Sequence, residues 1–147
     1  MITLEQMLTL DEGVRYEPYT CTAGKLTIGI GRNLEDRGIS EDEAQLMLKN
    51  DIRIVTHELL NDDDVCRIFV KQSDARKMAI KNMAFNLGLP TLKRFRKMWA
   101  ALDAGDYETA ANEAMDSRWY HQVGNRGDRI VSIIRNDSLD SYTEVLK

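Results

Sequence analysis

All of the strand-like sequence in this chain is crowded into one stretch, DEGVRYEPYTCTAGKLTIGIG, from Asp11 to Gly31. Its segments YEPYTC and KLTIGIG are rich in aromatic and β-branched residues and flank a turn containing Ala23 and Gly24. That pattern predicts a small hairpin. Elsewhere the apolar residues recur at helical spacing. One hairpin near the start of an otherwise helical chain gives an α+β class, mainly α.

Helix punctuation divides the rest. Thr3 to Gln6, TLEQ, forms a capping box, and Gly13 is the matching stop. Met7, Leu10 and Val14 lie at helical spacing between them, so Glu12 falls at the C-terminal end of a short helix. NLEDRG, from Asn33 to Gly38, reads as loop. Ser40 opens a second capping box, SEDE. The helix that follows, residues 41–60, repeats Leu48, Ile52, Val55 and Leu59 on one face until NDDD at Asn61–Asp64 breaks it. A helix from Ser73 carries Ile80, Met83, Ala84 and Leu87 on one face and ends at GLP, Gly88–Pro90. Another covers about 92–104, with Gly105 as its stop and Asp106 as the next cap. SRWYHQV is a short helix or turn, and residues 125–135 and 138 to the end read as helical. The layout is a single domain of two lobes. Residues 13–40 form the small one, 41–60 the connecting helix and 61–147 the helical one.

Composition narrows the function. The chain has 147 residues, 43% hydrophobic and 30% charged, with 20 basic against 24 acidic and a net charge of -4. A nucleic-acid binder needs a basic field, so none is expected as partner. The basic run LKRFRKMW, Leu92–Trp99, reads as a solvated helix face. Two cysteines, Cys21 and Cys66, are too few for a disulfide framework and read as free thiols in a reducing compartment. The opening MITLEQMLTLDEG lacks the basic and apolar regions of a signal peptide, and no stretch is long enough to insert in a membrane.

Cofactor chemistry finds no support. His57 and His121 are the only histidines, and neither has a Cys or His at ligand spacing, so no metal is expected. The same scarcity argues against a Cys–His hydrolase. GIGRN from Gly29 lacks the third glycine of a dinucleotide fingerprint, and no Walker lysine follows. Glu12 is more suggestive. The negative end of a helix dipole, and any burial, favour the neutral carboxyl that a general acid needs. The residues alone favour the plainer reading, a solvent-facing glutamate beside a helix stop.

Three separated motifs decide the matter. Glu12, eight residues, Cys21, five residues and Thr27 resemble the catalytic triad of the phage-type lysozymes (glycoside hydrolase family 24), in which the middle position is Asp or Cys. NMAFNLG from Asn82 is similar to that family's central helix, and SRWYHQVGNRGDRI from Ser117 to its SRWYNQ…NR..R segment. The order and spacing hold over nearly the whole chain. The resemblance implies a two-lobed fold whose cleft binds the glycan strand of peptidoglycan. It also implies hydrolysis of the β-1,4 bond between N-acetylmuramic acid and N-acetylglucosamine for host cell lysis.

The implied roles follow residue by residue. Glu12 would protonate the glycosidic oxygen and Thr27 would orient the attacking water. Arg126 matches the arginine that pairs with the acid. Arg129 matches one that would pair with Asp11, making Asp11 structural. Asn86 occupies the place of a cleft amide, while Trp119 and Tyr120 read as core. Cys21 stands where the T-even phage enzyme has Asp. As a thiolate, with Lys25 or Arg15 as the neighbouring cation, it would be a base for water or a nucleophile. Arg32 stands where that enzyme has His, the segment from Asn33 to Ser40 is shorter, and the chain is acidic where that enzyme is basic. The expected protein is a monomeric endolysin made in the host cytoplasm, acting on the wall in the periplasm after holin-dependent export. The competing readings are a catalytically impaired glycan-binding module and a thiol amidase.

Overall fold

A computed structural model describes residues 1–147, which fall into two compact units, Met1–Met47 and Leu48–Lys147. The N-terminal unit opens with α1 (Leu4–Glu12). The Thr3 side chain accepts from the Gln6 amide, the Gln6 side chain accepts from the Thr3 amide, and Gly13 ends the helix. The strands β1 (Arg15–Thr20), β2 (Leu26–Gly29) and β3 (Arg32–Asn33) form an antiparallel sheet in the order β1-β2-β3. The hairpin is therefore extended by a third strand. Thr27 pairs with Tyr19 on one side and Asn33 on the other. The register shifts between Arg15 and Tyr19, around Pro18, whose missing N–H suits an irregular edge strand.

Asn33 then caps α2 (Leu34–Arg37), accepting from the Asp36 amide. This short helix replaces the loop expected there. Its Glu35 carboxylate accepts from the Leu26 amide at 2.9 Å, which fixes α2 against β2. The second capping box forms as expected, Ser40 and Glu43 exchanging side-chain-to-amide bonds. It starts α3 (Glu41–Asn61), the helix that carries the chain from one unit into the other.

The second unit is entirely helical. It comprises α4 (Cys66–Val70), α5 (Asp74–Leu87), α6 (Leu89–Leu92), α7 (Arg96–Ala104), α8 (Tyr107–Met115), α9 (Arg118–Val123), α10 (Asn125–Asn136) and α11 (Asp140–Thr143). Ser73, Asp106 and Ser117 cap α5, α8 and α9 through their side chains. The helix expected over 92–104 starts only at Arg96, as α7, because an elbow at residues 93–95 separates it from α6. Gly88 closes α5, and Pro90, tolerated in a first turn, restarts the chain as α6. At the C-terminus only Asp140–Thr143 is helical after Ser138.

Leu59, Ile80, Met83, Leu92, Met98, Leu102, Ile130 and Ile134 make a tightly closed core. Arg76, only 8% exposed, is buried with its charge engaged. It donates to the carbonyls of Ile134 and Arg135 at the end of α10 and stacks on the Tyr107 ring. Its positive charge meets the negative end of that helix.

Candidate active site

β2 is the middle strand and is also covered by α2, so Thr27 is only 4% exposed. Its hydroxyl donates to the Lys25 carbonyl at 2.9 Å, the same carbonyl that accepts from the Cys21 amide. The Gly24 amide donates back to the Cys21 carbonyl, closing the turn. Cys21 thus sits half-buried at the end of β1 with its sulfur toward the Thr27 hydroxyl.

That setting pulls the Cys21 thiol below its ordinary pKa. The Lys25 amide contributes most, then the Ala23 amide and the Thr27 hydroxyl, against a smaller opposing effect of burial. These are fixed dipoles that favour a thiolate. The cations expected to do this are engaged elsewhere. Lys25 pairs with Asp36 at 3.4 Å, and Arg15 lies over the Tyr19 ring. Because Thr27 carries one hydroxyl proton, a thiolate at Cys21 competes for it with the Lys25 carbonyl.

Glu12 is the last residue of α1 and is exposed rather than half-buried. Its carboxyl lies against the backbone of Gly31, in the turn between β2 and β3. A Cβ on Gly31 would come within 2.9 Å of Glu12 Cδ and Oε2. Gly31 also has φ +69°, a left-handed conformation that side chains resist. The glycine at this position therefore makes room for the Glu12 carboxyl.

An ion pair outside the expected site braces the same turn. The Arg32 guanidinium donates in a fork to both Glu43 oxygens, at 2.8 and 2.7 Å, and to the Gly38 carbonyl. It ties β3 to the first turn of α3. Those two bonds, followed by the Ser40 amide and hydroxyl, bring the Glu43 carboxyl down to about 2. The sequence signal was present but divided: Glu43 showed only as a capping residue and Arg32 only as a departure from a family pattern.

The remaining expected residues lie in the helical unit. Arg126 donates to the Asn82 side-chain oxygen from Nε at 3.0 Å and from a terminal nitrogen at 2.7 Å. Asn82 in turn reaches the Tyr142 hydroxyl, and Arg129 packs over the Tyr142 ring with its buried Nε unpartnered. Asn82 is thus a supporting residue that sequence reasoning missed; an asparagine inside an apolar helix face was its signal. Asn86 is exposed and its Oδ1 accepts from the Trp119 indole at 2.9 Å, which leaves the amide donors facing outward. Trp119, 3% exposed, belongs to the core as expected, and Tyr120 packs partly buried against it. A cavity of about 370 Å³ runs beside Asn82 and Arg126, lined by Leu48, Ile52, Met78 and Phe85.

A helix-borne carboxyl resting on a small three-stranded sheet, in a chain otherwise helical, is the α+β arrangement of a lysozyme-like glycoside hydrolase. Sequence comparison makes the assignment specific. The Phage lysozyme family model matches residues 10–135, and the chain belongs to that family. It is 27% identical to probable T4-type lysozyme 1 of Dictyostelium discoideum, over 95% of this chain and 98% of that protein. An endolysin of Acyrthosiphon pisum secondary endosymbiont phage 1 is 34% identical over 71% of this chain and 69% of its own length. The pre-baseplate central spike protein Gp5 of Enterobacteria phage T4 is 28% identical over 96% of this chain, which spans only 29% of that protein.

The Glu43 pair gives a pH signature. A carboxyl held below its ordinary value stabilises the fold fully above about 4.5 and loses that contribution as pH falls toward about 2. Thermal midpoints between those limits should therefore fall further for the wild type than for Glu43→Gln; parallel curves would exclude the pair as a brace. Gly31 gives a second test, with Gly29 as control. Both have positive φ, but a Cβ at Gly29 meets nothing. Gly31→Ala and Gly29→Ala should lose similar stability, while Gly31→Ala loses about tenfold more glycosidase activity. Equal activity in the two variants would show that the Glu12 contact is unimportant.

Proposed function

We propose that this protein is a muramidase that cleaves the β-1,4 bond between N-acetylmuramic acid and N-acetylglucosamine in peptidoglycan, and that it serves host cell lysis. The observation that carries the proposal is the contact of Cys21 with Thr27 on β2, the strand that leads into the turn whose Gly31 lies against Glu12. Glu12 donates a proton to the departing glycosidic oxygen. Thr27 holds a water, and the Cys21 thiolate, stabilised by fixed amides, accepts that water's proton as it attacks. Glu12 and Cys21 then act as the acid and the base of an inverting pair. Attack by the sulfur on the anomeric carbon is the retaining alternative, and product configuration separates the two.

The chain is a single functional domain in this reading, with helix 1–12 assigned to the helical lobe. The resemblance supports that assignment, since Arg126 and Arg129 match the family arginines that serve Glu12 and Asp11. Asn86, its oxygen taken by Trp119, offers its amide hydrogens to a sugar. The enzyme acts as a monomer without metal or cofactor. It is made in the host cytoplasm and reaches the periplasmic wall through a holin; the match to a spike protein makes service in a larger phage assembly the alternative.

A second reading has one observation in its favour, the thiol in place of a carboxylate. It makes the chain a glycan-binding module with little turnover. Clearing of outer-membrane-permeabilised Gram-negative cells tests both. Glu12→Gln should reduce the clearing rate by about a hundredfold or more. With Cys66 replaced by Ser, quantitative alkylation of Cys21 should abolish it. Full activity in either case overturns the corresponding role. A wild type that sediments with peptidoglycan but never clears cells establishes the binding module instead.

A further inference from the structure

The peptide between Lys25 and Leu26 is held at both ends, and one end is held by a residue outside the expected site. Its carbonyl accepts from the Cys21 amide and from the Thr27 hydroxyl, each at 2.9 Å. In a trans peptide the N–H points the opposite way. β3 ends at Asn33, opposite Thr27, so Leu26 has no paired residue on that edge of the sheet. The Glu35 carboxylate takes the place of the missing strand carbonyl and accepts from the Leu26 amide at 2.9 Å. The acid is presented by α2, which Asn33 starts. Asn33 accepts from the Asp36 amide at 3.0 Å and donates to the Asp36 carboxylate at 2.9 Å, and Asp36 pairs with the Lys25 ammonium.

We propose that Glu35 is a positioning residue of the active site, which acts through the Lys25–Leu26 peptide to hold the Thr27 hydroxyl and the Cys21 turn in place. The proposal rests on the roles given to Cys21 and Thr27 above. A carboxylate on the N–H draws charge toward the far oxygen, so the carbonyl that binds Thr27 and the Cys21 amide becomes a better acceptor. The bond also stops the peptide from rotating. The turn it belongs to carries the Lys25 and Ala23 amides that favour the Cys21 thiolate. With the peptide free to turn, those dipoles lose their aim. Glu35 itself is exposed, and a solvated hydrogen bond contributes modestly to stability. Its removal therefore disturbs the site more than the fold. The other charged side chains on β1 and α2 are Arg15, Glu17, Asp36 and Arg37; Arg15 lies over the Tyr19 ring and Asp36 is engaged with Lys25.

The test follows Cys21 titration and turnover in the full-length protein with Cys66 replaced by Ser, which leaves Cys21 as the only thiol. The rate of alkylation by iodoacetamide against pH reports the thiol pKa, and turnover is measured on soluble, uncrosslinked peptidoglycan strands. Glu35→Ala should raise the Cys21 pKa toward its ordinary value and lower kcat about tenfold, with KM within about twofold. Glu35→Gln, which keeps an acceptor for the Leu26 amide, should recover most of both. Asp36→Ala loosens the same helix but frees Lys25 as a cation, so it should not raise the pKa. Circular dichroism and a thermal midpoint show that each variant folds. If Glu35→Ala does not fold, Glu35→Asp carries the test: its carboxylate falls short of the amide, and it should shift pKa and kcat in the same sense. Unaltered titration and kcat in the folded Ala or Asp variant, an equal rise of pKa in Asp36→Ala, or no recovery in Glu35→Gln would overturn the proposal. A pKa shift in Glu35→Ala beside a wild type without turnover refutes the muramidase reading alone. Turnover in the wild type without any such shift refutes the role of Glu35 alone.

Discussion

The N-terminal unit depends on how the four-residue strand β2 is satisfied. It is paired on both edges and covered by α2, and its buried threonine sends its hydroxyl back to the Lys25 carbonyl. That carbonyl also holds the Cys21 amide, so strand register and the position of the sulfur are one constraint. A slip of one residue would turn Thr27 to the opposite face and break the turn that presents Cys21. The glycines after the strand continue the same economy, because the backbone at Gly31 is bare enough for the Glu12 carboxyl to lie on it.

The electrostatics are local rather than global. In a net acidic chain the Cys21 pKa is lowered by backbone amides and the Thr27 hydroxyl rather than by a neighbouring cation. The one strong ion pair near the site, Arg32 with Glu43, serves the scaffold by fastening the end of the sheet to the start of α3. In the helical unit, Arg126 is held in place by two bonds to the Asn82 side-chain oxygen.

Much of this was legible in the sequence, and the reasons are specific. The capping boxes at Thr3 and Ser40, the caps at Ser73 and Asp106 and the stops at Gly13 and Gly105 are local hydrogen-bond chemistry, which sequence states directly. The spacing of Glu12, Cys21 and Thr27 was readable only through its resemblance to the phage-type lysozymes. The third strand was not, because two residues carry no periodicity, and α2 was hidden in a segment whose Asn33 and Gly38 look like loop residues. The elbow at residues 93–95 was lost because helical spacing continues across it. What lowers the Cys21 pKa was invisible, since it depends on where backbone N–H groups point. In the basic run Arg94, Arg96 and Lys97 are exposed as expected, while the pairing of Lys93 with Asp62 and Asp64 appears only in three dimensions.

The central claim is that the chain breaks a glycosidic bond rather than a peptide bond. Digestion of purified peptidoglycan, with parallel assay of new reducing ends and new amino groups, tests it most directly. The account predicts borohydride-reducible N-acetylmuramic acid ends that accumulate with time while free amino groups stay constant. New amino groups without new reducing ends would contradict it.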